Sequence, residues 1–356
     1  MNDAYPLKAT RTPVLTERIL CHPEHPEPES IARAATLLRQ GELVAFPTET
    51  VYGLGALAFD ADAVAKVFAA KGRPPDNPLI VHIAGRDWLE WVAVDIPPVA
   101  HRLVDTFFPG PLTLILHKHE RIPAIVTAGG ATVGVRWPAH PVAQALIRAV
   151  GVPLAAPSAN RFTEVSPTTA AHVLKSLDGR IAAVLDGGPC PVGIESAVLD
   201  VTTVPPTLWR AGILSQAALE AVAGQPFQRP QPGAVVASPG QFPRHYAPRA
   251  RVELVPPGDV PGIEQRLARW LAHGQRPAAL VISEVTPPAG ARLLRLPAQP
   301  EAYAHRLYAA LHELDAQGVE VMVIEQVPAD PAWDGLRDRL HRAAGRRSPP
   351  CARELP

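Results

Sequence analysis

Between residues 223 and 248 the chain carries six prolines, no acidic residue and no lysine. Proline fixes φ and has no amide proton to donate, so such a stretch suits neither a helix interior nor a central strand and reads as an extended, semi-rigid connector. It divides the 356 residues into two folding units, as the usual domain size of roughly 100–200 residues also favours. Proline is abundant throughout, at 42 residues. That abundance would suit a disordered chain, but 47% hydrophobic residues provide ample material for a core.

Charge and cysteine usage remove several classes. Lys+Arg and Asp+Glu are equal at 34 each, and up to residue 215 there are 18 basic and 20 acidic groups, so no net field draws the chain to nucleic acid. Cys21, Cys190 and Cys351 are too few and too scattered for a disulfide framework or a zinc site, and their odd number fits a reducing compartment. The N-terminal Met-Asn-Asp-Ala-Tyr-Pro has neither the basic start nor the apolar run of a secretory signal. No stretch nears the ~18 uninterrupted apolar residues of a membrane span. A cytoplasmic enzyme or binding protein with no membrane attachment is expected.

Residues 1–28 hold five prolines and no periodic apolar pattern, so they read as a flexible lead-in. The first unit spans 29–222. Its apolar spacing predicts helices from residue 30 to a stop at Gly41 and over 60–70, 99–107, 141–150 and 168–177. Strands are predicted over 43–46, 79–83, 112–116, 132–135, 154–156, 182–185 and 197–201. Their irregular alternation indicates a mixed α/β sheet. After a connector at 223–249, residues 250–345 alternate strands (252–255, 279–282, 319–324) with helices (263–272, 302–316, 336–343), the pattern of a small parallel sheet. Residues 346–356 read as a tail.

Gly53-Leu54-Gly55-Ala56-Leu57-Ala58 matches the loose dinucleotide fingerprint. That fingerprint needs a tight strand-to-helix turn and a ribose-binding acid about 20 residues on. Here six residues separate the strand from the first glycine, and Asp76 lies in a proline-rich loop. There is no P-loop, and no Gly-x-Ser-x-Gly marks Ser158, Ser166 or Ser196 as a hydrolase nucleophile. Cys190, within Pro-Cys-Pro, has no evident histidine partner and reads as structural.

What remains is a series of polar loops at strand ends: Pro47-Thr48-Glu49-Thr50-Val51-Tyr52-Gly53-Leu54-Gly55, Lys71-Gly72-Arg73-Pro74-Pro75-Asp76-Asn77-Pro78, Thr132-Val133-Gly134-Val135-Arg136-Trp137-Pro138, Ala156-Pro157-Ser158-Ala159-Asn160, Ser166-Pro167-Thr168, Gly193-Ile194-Glu195-Ser196 and Leu208-Trp209-Arg210-Ala211-Gly212. Singly, each has a structural explanation, since proline stiffens turns and serine or asparagine caps helices.

In this order and spacing they resemble the YrdC-type threonylcarbamoyl-AMP synthases, and the proline connector with its second α/β unit resembles the two-domain members. The most specific part is Pro47 to Gly55 with Lys71-Gly72-Arg73-Pro74 21 residues beyond Thr50. The resemblance implies a YrdC-like catalytic domain built on a mixed twisted sheet, followed by a small Rossmann-like parallel domain. It implies synthesis of threonylcarbamoyl-adenylate from L-threonine, bicarbonate and ATP, with release of pyrophosphate. Such an adenylate feeds N6-threonylcarbamoyladenosine formation in tRNAs reading codons beginning with A, through a downstream transferase machinery; direct tRNA contact is left open.

The resemblance assigns Lys71 and Arg73 to the triphosphate, as a point charge and a planar fork. A solvated helix end is the structural alternative for both. Threonine falls to Thr50, His82, Arg136, Ala156 and Ser196, with Arg136 facing the substrate carboxylate. His82 alternates with apolar neighbours on a strand, so one face could present it to a cleft, although alone it reads as a structural histidine. ATP falls to Arg73, Asn77, Thr132, Ser158, Ser166, Arg210 and, from the connector, Tyr246, which is either a lid or an aromatic packing the connector down. Mg2+ is expected on ATP oxygens and water, without protein side-chain ligands. Two other classes compete. An RNA-binding module is opposed by the charge count and by the lack of a basic aromatic stretch, and a nicotinamide-dependent oxidoreductase by the misplaced glycines.

Overall fold

The computed structural model describes residues 15–230 and 245–345. Most of the proline connector and the whole tail lie outside these residues. The first unit contains strands β1 (Glu17–Leu20), β2 (Val44–Pro47), β3 (Tyr52–Leu57), β4 (Ile80–His82), β5 (Ala93–Val94), β6 (Leu112–Lys118), β7 (Thr132–Arg136), β8 (Leu154–Ala155), β9 (Ala183–Asp186), β10 (Ala197–Asp200) and β11 (Thr207–Arg210). Its helices are α1 (Pro28–Arg39), α2 (Ala61–Lys71), α3 (Leu89–Val92), α4 (Pro98–Phe107), α5 (Pro141–Val150), α6 (Ala170–Leu177) and α7 (Gln216–Ala223). Local chemistry sets several boundaries. The Asp60 carboxylate accepts from the amides of Asp62 and Ala63 to start α2, and Gly72, at φ 62°, ends it in the left-handed region. Thr169 caps α6 in the same way through the His172 amide.

The strands form one mixed sheet in the order β1-β9-β2-β3-β8-β4-β7-β6-β10-β11, with β5 paired to β6. Several segments differ from the sequence expectation, two of them in the N-terminal part of this sheet. Residues 17–20, assigned to a flexible lead-in, pair in parallel with β9, and Arg18 bridges Asp186 at 2.6 Å. As a four-residue edge strand with only Ile19 buried, it carries no periodic signal. Residues 52–57, read as part of a glycine loop, form a strand antiparallel to β2, with Ala45 opposite Leu54. Its glycines allow close approach: a Cβ on Gly55 would lie 2.8 Å from the Phe46 ring. Because these glycines sit inside a hairpin and not at a strand-to-helix turn, the dinucleotide reading has no structural basis.

The second unit, β12 (Arg251–Val255), β13 (Pro277–Val281), β14 (Arg292–Arg295) and β15 (Val321–Glu325) with α8 (Val260–Ala272), α9 (Pro300–Ala316) and α10 (Asp334–Ala343), is a parallel sheet ordered β12-β15-β13-β14. Sheets of this type bind ligands at the carboxyl ends of their strands. Here that position is filled by the chain itself: the Glu325 carboxylate accepts from the amides of Gly258, Ile282 and Ser283 and from the Ser283 hydroxyl. Burial opposes its ionisation, but the hydrogen bonds from Ser283, Gly258 and Ile282 outweigh burial and hold its pKa below the usual carboxylate value.

The two units share a core. Val51, Val165 and Ile194 of the first pack with Tyr246, Tyr303, Tyr308 and Leu336. Glycines permit this contact. A Cβ on Gly193 would collide with the Ala304 carbonyl of α9, and one on Gly335 with the Gly212 carbonyl. Among the described residues no helix is long and apolar enough to cross a membrane.

Candidate active site

A cleft opens where the β2–β3 turn, the ends of β4 and β7, the loops after β8 and before β10, the end of β11 and the re-entering chain at His245 and Tyr246 converge. Eight sequence-predicted residues line it: Arg73, His82, Arg136, Ala156, Ser158, Ser196, Arg210 and Tyr246. Parallel pairing of β4 with β7 sets His82 beside Arg136 in register, and the Ala156 amide donates to the Ile80 carbonyl, bringing the next loop to the same edge.

One corner is built around Arg136, only 4% exposed. Its Nη2 lies 2.8 Å from Glu49 Oε1, yet the approach is off-line, and neither Arg136 Nε nor Nη2 has an aligned acceptor. The other Glu49 oxygen accepts from the Ala139 amide. The pair therefore balances charge while leaving directed donors at the cleft, where a second carboxylate could engage them. His82 beside it is neutral. Burial, reinforced by the Arg136 charge, pushes its pKa down to about 3, and its ring meets Phe46 edge-on.

The opposite side is rich in buried cations. Arg73 Nε and Nη2 donate to the carbonyls of Asn77 and Pro78. Burial depresses its pKa to about 9; Tyr246 and Asp76 oppose the shift, and Arg210 adds to it. Arg210 Nε donates to the Ser196 carbonyl at 3.0 Å, Nη2 to the Ser196 hydroxyl at 3.3 Å and Nη1 to the Tyr246 hydroxyl at 3.4 Å. Burial first, and then the charges of Arg73, Lys71, Arg210 and Arg342, hold His245 neutral. Such mutual repulsion marks a site short of negative charge, which an anion would relieve.

Five predicted residues do not line the cleft wall. Lys71, expected to face the triphosphate, points its ammonium at the carbonyls of Ser158 and Asn160. It is buried, and desolvation followed by repulsion from Arg73 drives its pKa well down. Lys71 and Arg73 therefore diverge after the α2 cap, one holding the 158–160 loop and the other reaching the cleft. Thr50 bonds the Thr48 hydroxyl at 2.9 Å, and Thr48, which sequence reasoning did not select, faces the cleft. The Asn77 side chain is fully buried and neither its amide nitrogen nor its oxygen has a partner. Thr132 sits at the far end of β7, four residues from Arg136. Ser166 lies behind the wall and donates to Glu195 Oε1 at 2.5 Å.

Glu195 is the main residue the sequence did not reveal. It lines the cleft and accepts from Ser166, Tyr308 and Arg339. Burial would raise its pKa, but the charges of Arg339 and Arg210 and the Ser166 bond leave it lowered. Tyr246, in the left-handed region at φ 57°, an arrangement that costs roughly 1–2 kcal/mol, packs the connector onto the second unit. Its ring stacks on Tyr308 of α9 at 5.9 Å, and its hydroxyl reaches Arg210. Among the described residues no group of three or more His, Cys, Asp or Glu converges as metal ligands would.

Two family models match the chain, one described as "Telomere recombination" over residues 36–212 and one as "Threonylcarbamoyl-AMP synthase, C-terminal domain" over residues 214–345. The threonylcarbamoyl-AMP synthase of Pyrococcus abyssi is 42% identical over 331 residues, covering 91% of this chain and 96% of its own. That of Bacillus subtilis is 43% identical over 328 residues, with 89% and 93% covered. The crystal structure of Pyrococcus abyssi Sua5 complexed with L-threonine superposes with a TM-score of 0.88 at 40% identity, covering 93% of this chain and 98% of that one.

Proposed function

The chain belongs to the threonylcarbamoyl-AMP synthase family, and from that premise we propose that it joins L-threonine, bicarbonate and ATP into threonylcarbamoyl-AMP with release of pyrophosphate. The observation that carries the reading is the pairing, in one cleft, of a buried arginine with donors free of aligned acceptors and a wall of repelling cations. The first suits an amino-acid carboxylate and the second a triphosphate.

In the reaction, the threonine amine and bicarbonate condense with loss of water to a carbamate, whose carboxylate attacks the α-phosphorus as pyrophosphate leaves. Charge accumulates on phosphate oxygens, so catalysis is mainly positioning and electrostatic stabilisation. Arg136 orients the threonine carboxylate, and neutral His82 adds no competing charge beside it. Thr50, Ala156 and Ser196 complete that end. Arg73 and Arg210 meet the phosphates, with Ser158 and Tyr246 beside them, and Lys71 acts by holding the loop that carries Ser158. Asn77, Ser166 and Thr132 are assigned to the ATP side; the unpartnered amide of Asn77 supports its assignment.

Magnesium enters with ATP. Glu195, which lines the cleft, and Glu49, which lies behind Arg136, are paired with Arg339 and Arg136, which supports a metal carried by triphosphate oxygens and water. The adenylate is passed to a transferase that modifies tRNA. The test is pyrophosphate release by the purified chain with ATP, omitting threonine or bicarbonate in turn. Release that needs both supports the function; release indifferent to either, or none from folded protein, overturns it.

A further inference from the structure

We propose that Arg339, supplied by the second domain, is a positioning residue for the ATP half of the cleft; the proposal rests on the synthase reading above. The Arg339 side chain is 0% exposed, a placement tolerated only when a guanidinium finds acceptors in every direction. Nε donates to Glu195 Oε2 at 2.9 Å and Nη2 to the Glu195 carbonyl at 3.0 Å. Nη1 donates to the Ala211 carbonyl at 2.8 Å, with Gly335 and Asp338 nearby. Glu195 immediately precedes Ser196, and Ala211 immediately follows Arg210. The guanidinium also lies 5.3 Å from the Tyr246 ring centroid. One side chain of α10 thus fixes the loop entering β10, the end of β11 and the end of the connector.

Its partner Glu195 is held from the other side by Ser166 and by Tyr308 of α9, the latter at 3.0 Å. Docking of the domains does not require this charge, because the apolar cluster and the glycine contacts already join them, and buried ion pairs are weak interface glue compared with apolar packing. What the planar fork adds is geometry, which a lysine could not reproduce. The threonine end has anchors of its own within the first unit, where Arg136 pairs with Glu49 and the Ser196 hydroxyl bonds Thr113 at 2.8 Å. Loss of Arg339 should therefore weaken ATP recognition more than threonine recognition.

The test uses the full chain carrying Arg339→Lys or Tyr308→Phe. Initial rates of pyrophosphate release are measured against ATP at saturating threonine and bicarbonate, and against threonine at saturating ATP. Folded Arg339→Lys is expected to raise KM for ATP by about tenfold or more while KM for threonine stays within about threefold, and Tyr308→Phe to raise KM for ATP by about threefold. A lower kcat with unchanged KM for ATP would show a merely structural role and overturn the proposal. If Arg339→Lys does not fold, an unchanged KM for ATP in folded Tyr308→Phe overturns it equally. If the wild type releases no pyrophosphate, the synthase reading fails by itself. Calorimetric ATP affinities of wild type and the folded variant then decide the positioning role, with equal affinities counting against it.

Discussion

Replacing Arg136 by lysine keeps a cation beside Glu49 but removes the planar fork, so it separates recognition of a carboxylate from neutralisation of a buried charge. Arg136 and Glu49 side chains are only 5% and 7% exposed. Truncation to alanine would strand Glu49 at a cost of about 3–5 kcal/mol in stability, which would confound any kinetic reading. Lysine avoids most of that penalty. The Nε and Nη2 donors without aligned acceptors can give two charge-assisted bonds to a threonine carboxylate, and lysine replaces at most one of them. A hydrogen bond to a charged group contributes about 1.5–3 kcal/mol, so KM for threonine should rise about 10- to 150-fold, with KM for ATP changed by less than about threefold. Initial-rate pyrophosphate assays over a wide threonine range, at saturating ATP and bicarbonate, measure this. A rise confined to KM for ATP would refute the assignment of Arg136 to the carboxylate.

Other perturbations test separate parts of the account. Lys71→Met deprives the Ser158 and Asn160 carbonyls of their shared donor and should lower turnover by about 100-fold or more; wild-type turnover would show that the loop needs no such tie. Gly335→Ala forces a Cβ against the Gly212 carbonyl and should cost about 1–3 kcal/mol, seen as a lower urea midpoint or as two separate transitions; an unchanged single transition would contradict the tight docking. Burial, the largest influence on each, holds His82 and His172 down to about 3 and His312 down to about 4. An unfolded histidine titrates near ~6.5, so between about pH 6.5 and 4 the unfolded chain binds more protons. Stability should therefore fall as pH drops through that window, and a urea midpoint that stays flat from pH 7 to 4.5 would contradict it.

Much of the helical framework is legible because its boundaries are set locally. Helix α5 runs over the predicted residues 141–150, with proline in its first turn and Gly151 in the left-handed region at its end. Strand β3 escaped because its glycines serve packing against Phe46 and not a turn. Strand β11, read as a loop from its Trp-Arg-Ala-Gly ending, is stabilised by pairing with β10, a partner that no local pattern reveals. The same contrast holds in the site. His82 and Arg136 were legible as strand-end residues in family motifs. The role of Glu195 depends on Arg339, 144 residues away, and only the docking of the second domain brings them together. Thr48 carries a local signal in its spacing to Thr50, since a threonine at the start of a turn accepts from the amides that follow, as it does here from Thr50 and Val51.

The most direct measurement of the central claim is the fate of labelled bicarbonate. The chain is incubated with ATP, L-threonine and 13C-bicarbonate, and the nucleotide product is analysed by mass spectrometry. The account predicts an adenylate heavier than AMP by a threonylcarbamoyl group that carries one 13C, formed in step with pyrophosphate. An adenylate of threonine without the labelled carbon, or AMP alone from the first turnover, would contradict it.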